Sequence, residues 1–208
     1  MVTSVSQAEL LRTHFAQQGG YLTSSQVRSL GIDLKVISRM IGSGEVEQVQ
    51  RGVYRSTNTE LPEHADLIEL RLRVPYARPT LMTALDLHGL TTARPTRIQV
   101  AIPANRTMPD LTYPPVEVYW YPPQVYEAGT FTLGQPPATF TTYSPEKTLA
   151  DLLRMSRKLG RQPYLEGLTN YLARPDRNLP ELLRMARIDR VEDELRRDLE
   201  VLTHDETR

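Results

Sequence analysis

Residues 42–47, GSGEVE, set a Gly-Ser turn before two acids one residue apart, Glu45 and Glu47. That combination could serve nucleotidyl transfer, the turn holding phosphate and the paired carboxylates a divalent metal. The spacing argues against it. Only Gly44 separates the turn from the first acid, which leaves no room for that geometry. The helical pattern also precedes the turn, whereas a phosphate-binding turn should open a helix and present its positive N-terminal end. The same residues read better as a turn that leads into a β-hairpin.

Other chemistry is equally poorly served. A metal-dependent nuclease of the restriction type needs an acid, then a second acid one residue before a lysine on a strand. Asp110 begins such a pattern, but the next strand reads Glu117-Val118-Tyr119 without a lysine, and Glu146-Lys147 are adjacent rather than spaced. His14, His64, His88 and His204 lie far apart and never pair at i,i+4, so structural or surface roles are expected of them. There is no Walker loop, no GxSxG and no GxGxxG, and the chain has no cysteine. We therefore expect no catalysis, no cofactor and no metal. The run VYWYPP around Trp120 reads as a buried strand, the alternative being a platform on which single-stranded nucleic acid stacks. A helix over 145–159 would carry Arg154, Arg157 and Lys158 opposite its apolar face, either as a solvated surface or as a second DNA or protein contact.

What remains is binding, and the elements that would position it lie at the N-terminus. Ser6 before Leu10, Leu11 and Phe15, with Gly19-Gly20 as a stop, predicts an amphipathic helix. Thr23 with Gln26 three residues on forms a capping box that opens a short helix ended by Gly31. Asp33 then caps a third helix with Ile37, Met40 and Ile41 inward, stopped by Gly42 and Gly44. EVEQV and VYR are short β-prone runs joined through Gln50-Arg51-Gly52 as a hairpin. Helix, short helix, helix and hairpin is the order of a winged helix-turn-helix.

Beyond a polar linker at 56–66, the pattern predicts a helix over 62–73, a second over 79–88 with Pro79 in its first turn, and strands at 97–103, 116–121 and 138–143. Proline-rich turns between those strands keep them short or at sheet edges. Ser144-Pro145 opens a helix that runs to Gly160, and helical patterns continue to about residue 202, broken at Pro175 and Pro180. The expected fold class is α+β: an N-terminal winged helix-turn-helix in 1–58, then in 59–208 a small mixed sheet packed by helices, with a helical C-terminus.

On the third helix the inward residues leave Leu34, Lys35, Ser38 and Arg39 on the outer surface, where a recognition helix would enter a major groove. Arg39 suits a bidentate contact with guanine and Leu34 a thymine methyl. Lys35 and Ser38 suit bases or phosphates. Gln50, Arg51 and Arg55 on the hairpin would reach the backbone or the minor groove. The alternative is a winged helix used only for protein contacts. Residues 1–55 hold six Lys/Arg against four Asp/Glu, in a chain whose formal net charge is zero, so DNA binding by this segment would be selective rather than a general coating. No apolar run approaches the roughly 18–20 residues that span a bilayer. The start, MVTSVSQAELLRTHF, lacks the basic opening and apolar core of a secretory signal. A cytoplasmic protein is expected.

The stretch GGYLTSSQVRSLGIDLKVISRMIGSGEVEQVQRGVYR resembles the N-terminal winged helix of the AbiEi family of bacterial antitoxins, and ALDLHGLTTARPTRIQVAIP and YSPEKTLADLLRMSRKLG resemble the family's second domain. The resemblance implies a transcriptional autorepressor that binds double-stranded DNA at repeats in its own promoter. It also implies an antitoxin that counters a nucleotidyltransferase toxin without a stable complex between the two. By the motif, Lys35, Ser38, Arg39, Arg51 and Arg55 take the DNA-binding roles, and Gln50 joins them from its place on the hairpin. Leu34, Val36 and Ser38 occupy places that relatives often fill with cationic or polar residues. A monomer or weak dimer, with no membrane association, is expected.

Overall fold

The computed structural model describes residues 6–111 and 113–205. The chain forms two units: Met1–Pro75 with Pro109–Pro114 and Leu133–Phe140, and Tyr76–Met108 with Pro115–Thr132 and Thr141–Arg208.

In the first unit α1 (Gln7–Gln17) starts at a capping box in which Ser6 and Glu9 satisfy each other's backbone amides. Next, β1 (Tyr21–Thr23) runs into α2 (Ser24–Ser29), opened by the Thr23–Gln26 capping box. Asp33 caps α3 (Leu34–Gly42) by accepting from the Lys35 amide. The hairpin is β2 (Val46–Gln50) and β3 (Val53–Ser56), turning at Arg51-Gly52 with Gly52 at φ +77°. That left-handed residue is one a glycine adopts without strain. Added to it, β1 makes a three-stranded sheet in the order β1-β3-β2, a pairing absent from the sequence expectation. Leu11, Phe15, Leu22, Val27, Ile32, Val36, Ile37, Met40, Val46 and Tyr54 form one core. On α3 the inward set is Val36, Ile37 and Met40, whereas Ile41, expected inside, is 37% exposed. Buried positions 36, 37 and 40 share one side of a 3.6-residue helix, and 41 falls at its edge.

Next, α4 (Ala65–Arg73) begins three residues later than expected, behind His64 at φ 60°. It groups with the first unit, whose opening segment runs to Pro75, beyond the expected boundary at residue 58. Buried Glu69 of α4 accepts from the Tyr21 hydroxyl of that unit at 3.0 Å.

In the second unit Pro79 lies in β4 (Arg78–Pro79), not in the first turn of the following helix, α5 (Leu81–Leu87). β4 pairs antiparallel with β5 (Ile98–Pro103), which pairs parallel with β6 (Val116–Tyr121). This is the small mixed sheet. Two elements had no counterpart in the sequence expectation: α6 (Pro123–Glu127) and β7 (Thr130–Gln135). β7 pairs with β8 (Ala138–Tyr143) as a separate two-stranded ribbon, whose Leu133–Phe140 counts with the first unit, so 138–143 is not part of the mixed sheet.

Helices fill the rest: α7 (Pro145–Arg154) capped by Ser144, α8 (Ser156–Leu159), α9 (Gln162–Leu172), α10 (Leu179–Ile188) and α11 (Glu192–Asp205). The single helix expected over 145–160 is interrupted at Met155, and Pro180 sits in the first turn of α10, where its missing amide proton costs nothing. Leu81, Leu85, Tyr143, Leu149, Leu153, Tyr164, Leu168 and Met185 belong to the shared core of this unit. Trp120, expected inside, is 58% exposed. Strand alternation accounts for it: Tyr119 and Tyr121 take the core face, which turns Trp120 the other way on the edge strand. Its indole N–H donates to the Arg106 carbonyl at 3.2 Å.

Candidate nucleic-acid interface

The α3 surface is built by exclusion. With Val36, Ile37 and Met40 at most 5% exposed, the exposed residues Lys35, Ser38, Arg39 and Gly42 fall within about a third of the helix circumference. A methyl placed at Gly42 would meet nothing within 4 Å, so the fold itself does not require that glycine. Packing of the opposite side against α1 and the hairpin core fixes how this stripe is presented.

Charge on this unit is sorted by pairing. Among the described residues the side chains of Arg28, Lys35, Arg39 and Arg51 have no ion-pair or hydrogen-bond partner, and all four are exposed. Arg12 and Arg55 are committed elsewhere. Arg12 donates to Glu45 at 2.9 Å and holds that carboxyl below its ordinary range. Glu45 and Glu47 are thus the ion-pair partners of Arg12 and Arg55. Among the described residues no group of three or more histidine or acidic side chains could hold a metal ion, and the His204 side chain lies outside them.

The structure separates the six residues expected to touch DNA. Lys35, Ser38 and Arg39 share the exposed stripe of α3, and Arg51 stands at the hairpin turn. The Ser38 hydroxyl donates to the Leu34 carbonyl at 3.3 Å, which leaves it as an acceptor rather than a donor toward phosphate. Asp33 caps the start of α3 with its carboxylate, so that helix end is already satisfied by an anion. Gln50 is half-buried, and its amide nitrogen has no partner among the described residues.

Arg55 departs from expectation. Its guanidinium hydrogen-bonds Glu47 and lies 3.5 Å from Glu69, with the side chain 20% exposed. Burial pushes the Glu69 carboxyl up and the Tyr21 hydroxyl up to about 12. Arg55 therefore ties the sheet to α4 through Glu47 and Glu69. Arg28, in the last turn of α2, is a free cation that sequence reasoning passed over. Its signal was only its place just before Gly31.

The second unit holds a different constellation, closed to solvent. Lys147 Nζ meets Asp151 at 2.6 Å and Asp189 at 2.9 Å, all three side chains being 0% exposed. Arg154, expected on a solvated face, is instead turned onto Asp151 at 2.7 Å and stacks over Tyr121 at 4.6 Å. Burial, then the charge of Asp151, pushes the Asp189 carboxyl up to about 7. This cluster ties α7 to the end of α10.

A helical unit closed by a small sheet, with unpaired cations along one exposed helix, defines a candidate nucleic-acid interface. Residues 9–57 match the model of the family described as transcriptional regulator, AbiEi antitoxin. The matched residues include α2, α3 and the hairpin, and they end within the first unit. No curated protein matches the chain. Among the described residues no helix is long and apolar enough to cross a membrane.

Proposed function

We propose that this protein is a DNA-binding transcriptional regulator, an autorepressor acting at repeats in its own promoter, and the antitoxin for a nucleotidyltransferase toxin with which it forms no stable complex. It works in the cytoplasm as a monomer or weak dimer, without catalysis. The N-terminal unit acts as a winged helix-turn-helix. In this reading α3 enters the major groove, Arg39 reads guanine, Lys35 pairs with phosphate, and Arg51 reaches the backbone from the wing. One observation carries the reading: the exposed stripe of α3 presents two cations with no partner, on a helix whose other side is committed to the core. Free cations can take phosphates without first giving up a protein partner, and each phosphate neutralised releases counterions.

The test is fluorescence anisotropy with a labelled duplex from the chain's own upstream region, at two salt concentrations, for wild type and the Arg39→Ala, Arg51→Ala double variant. Selective, salt-sensitive binding lost in the variant is expected. Absence of binding by wild type at low salt would refute the reading. A second reading, the winged helix as a scaffold for a protein partner, draws on Ile41, which is 37% exposed on the same helix. A stable protein complex with no DNA shift would favour it.

A further inference from the structure

Beside the β2–β3 hairpin lies a cleft of about 330 Å³ lined by Gln48, Gln50, Arg51, Arg73, Asp110 and Tyr113. Its members come from the hairpin, from the last residue of α4, and from Asp110, Leu111 and Tyr113 of the same unit. Arg51 and Arg73 both line it, and among the described residues neither guanidinium has an ion-pair or hydrogen-bond partner. The Gln50 amide nitrogen is buried there without an acceptor. Asp110 is the one acid among the lining residues and forms no ion pair with either arginine.

Two guanidiniums lacking acceptors, lining one open cleft, call for an anion with several oxygens. We infer that the cleft takes the sugar–phosphate backbone of duplex DNA beside the groove entered by α3. Arg73 is a phosphate contact, and Tyr113, 60% exposed, packs against sugar. This inference rests on the DNA-binding reading and extends it to α4 and to a chain segment remote in sequence from the hairpin. Backbone contacts position without specifying. The cleft therefore raises affinity for every duplex alike, and recognition stays with α3.

The experiment is anisotropy of the full chain against a labelled duplex of mixed sequence, from about 50 to about 200 mM salt. The variants are Arg73→Gln, Arg73→Lys, Asp110→Asn and Arg39→Ala. Loss of one phosphate contact lowers the slope of log affinity against log salt by about 0.9, so Arg73→Gln should lose roughly three- to fourfold less affinity across that range than wild type. Arg73→Lys should keep the wild-type slope, and Asp110→Asn should bind more tightly. Thermal unfolding of Arg73→Gln should be unchanged, because the guanidinium supports no ion pair.

A wild-type slope in Arg73→Gln, alongside weakened binding by Arg39→Ala, overturns the cleft contact and leaves the DNA reading intact. Poly-glutamate binding that Arg73→Gln abolishes, with the DNA slope unchanged, overturns it in favour of an acidic protein partner. Wild type that binds no duplex overturns both.

Discussion

Replacing Asp189 by asparagine isolates one proton in the buried cluster of the second unit. In the wild type Lys147 and Arg154 face Asp151 and Asp189. Desolvation, with Asp151 adding to it, carries Asp189 from 3.8 to about 7 on folding. The folded carboxyl therefore binds its proton more tightly than the unfolded one. Its contribution to stability is fully present below about 3.8 and is lost as pH rises through about 7. Each pH unit between those values is worth about 1.4 kcal/mol, so the full loss is on the order of 4 kcal/mol. Asp189 is 0% exposed at its side chain, so no discount for solvent screening applies.

Asparagine copies the protonated acid in shape and charge and cannot titrate. Asp189→Asn should lack this loss and gain on the wild type by that amount between pH 4 and pH 7. Urea unfolding at several pH values measures it. Trp120, the one tryptophan in the chain, lies in the same unit and reports its unfolding. Parallel profiles for the two proteins would refute the reasoning. Asp189 would then stay ionised throughout, as half of an ordinary buried ion pair. The variant would in that case be weaker by roughly 3–5 kcal/mol at every pH, because Lys147 would lose a charged partner.

Two substitutions test the first unit. Arg55→Ala removes the cation between Glu47 and Glu69 and should cost roughly 1–3 kcal/mol, since Glu69 is 7% exposed and would lose a charged neighbour. An unchanged unfolding midpoint in urea would show that the sheet does not depend on it. Gly42→Ala should raise stability by roughly 0.5–1 kcal/mol, because the position is helical and open and the change lowers the entropy lost on folding. A lower melting temperature by circular dichroism would count against that.

Much of the first unit was legible because its signals are local. The Ser6, Thr23 and Asp33 caps each bond an amide two or three residues away, a distance that sequence spacing states directly. The α3 stripe followed from helical period, and Lys35, Ser38 and Arg39 are exposed as that period required. Val36 joins the buried set and Ile41 leaves it, because the pattern marks a buried face but not its edges, which depend on how the helix rolls against α1 and the hairpin.

Tertiary structure decided which charges are free. Arg51 and Arg55 stand four residues apart on one hairpin and read alike in sequence. Strand register sets Arg55 opposite Glu47, and α4 brings Glu69 to the same guanidinium. No such partner reaches Arg51 among the described residues. The same holds for Arg154, drawn onto Asp151 and Asp189, and for Arg73, which the packing of α4 on the hairpin sets beside the cleft. A cap is a bond between near neighbours, so residue types and spacing specify it. An ion pair between β3 and α4, or between α7 and the end of α10, exists only once the chain has chosen its register and packing. Whether a cation is available to a ligand is therefore a property of the folded molecule.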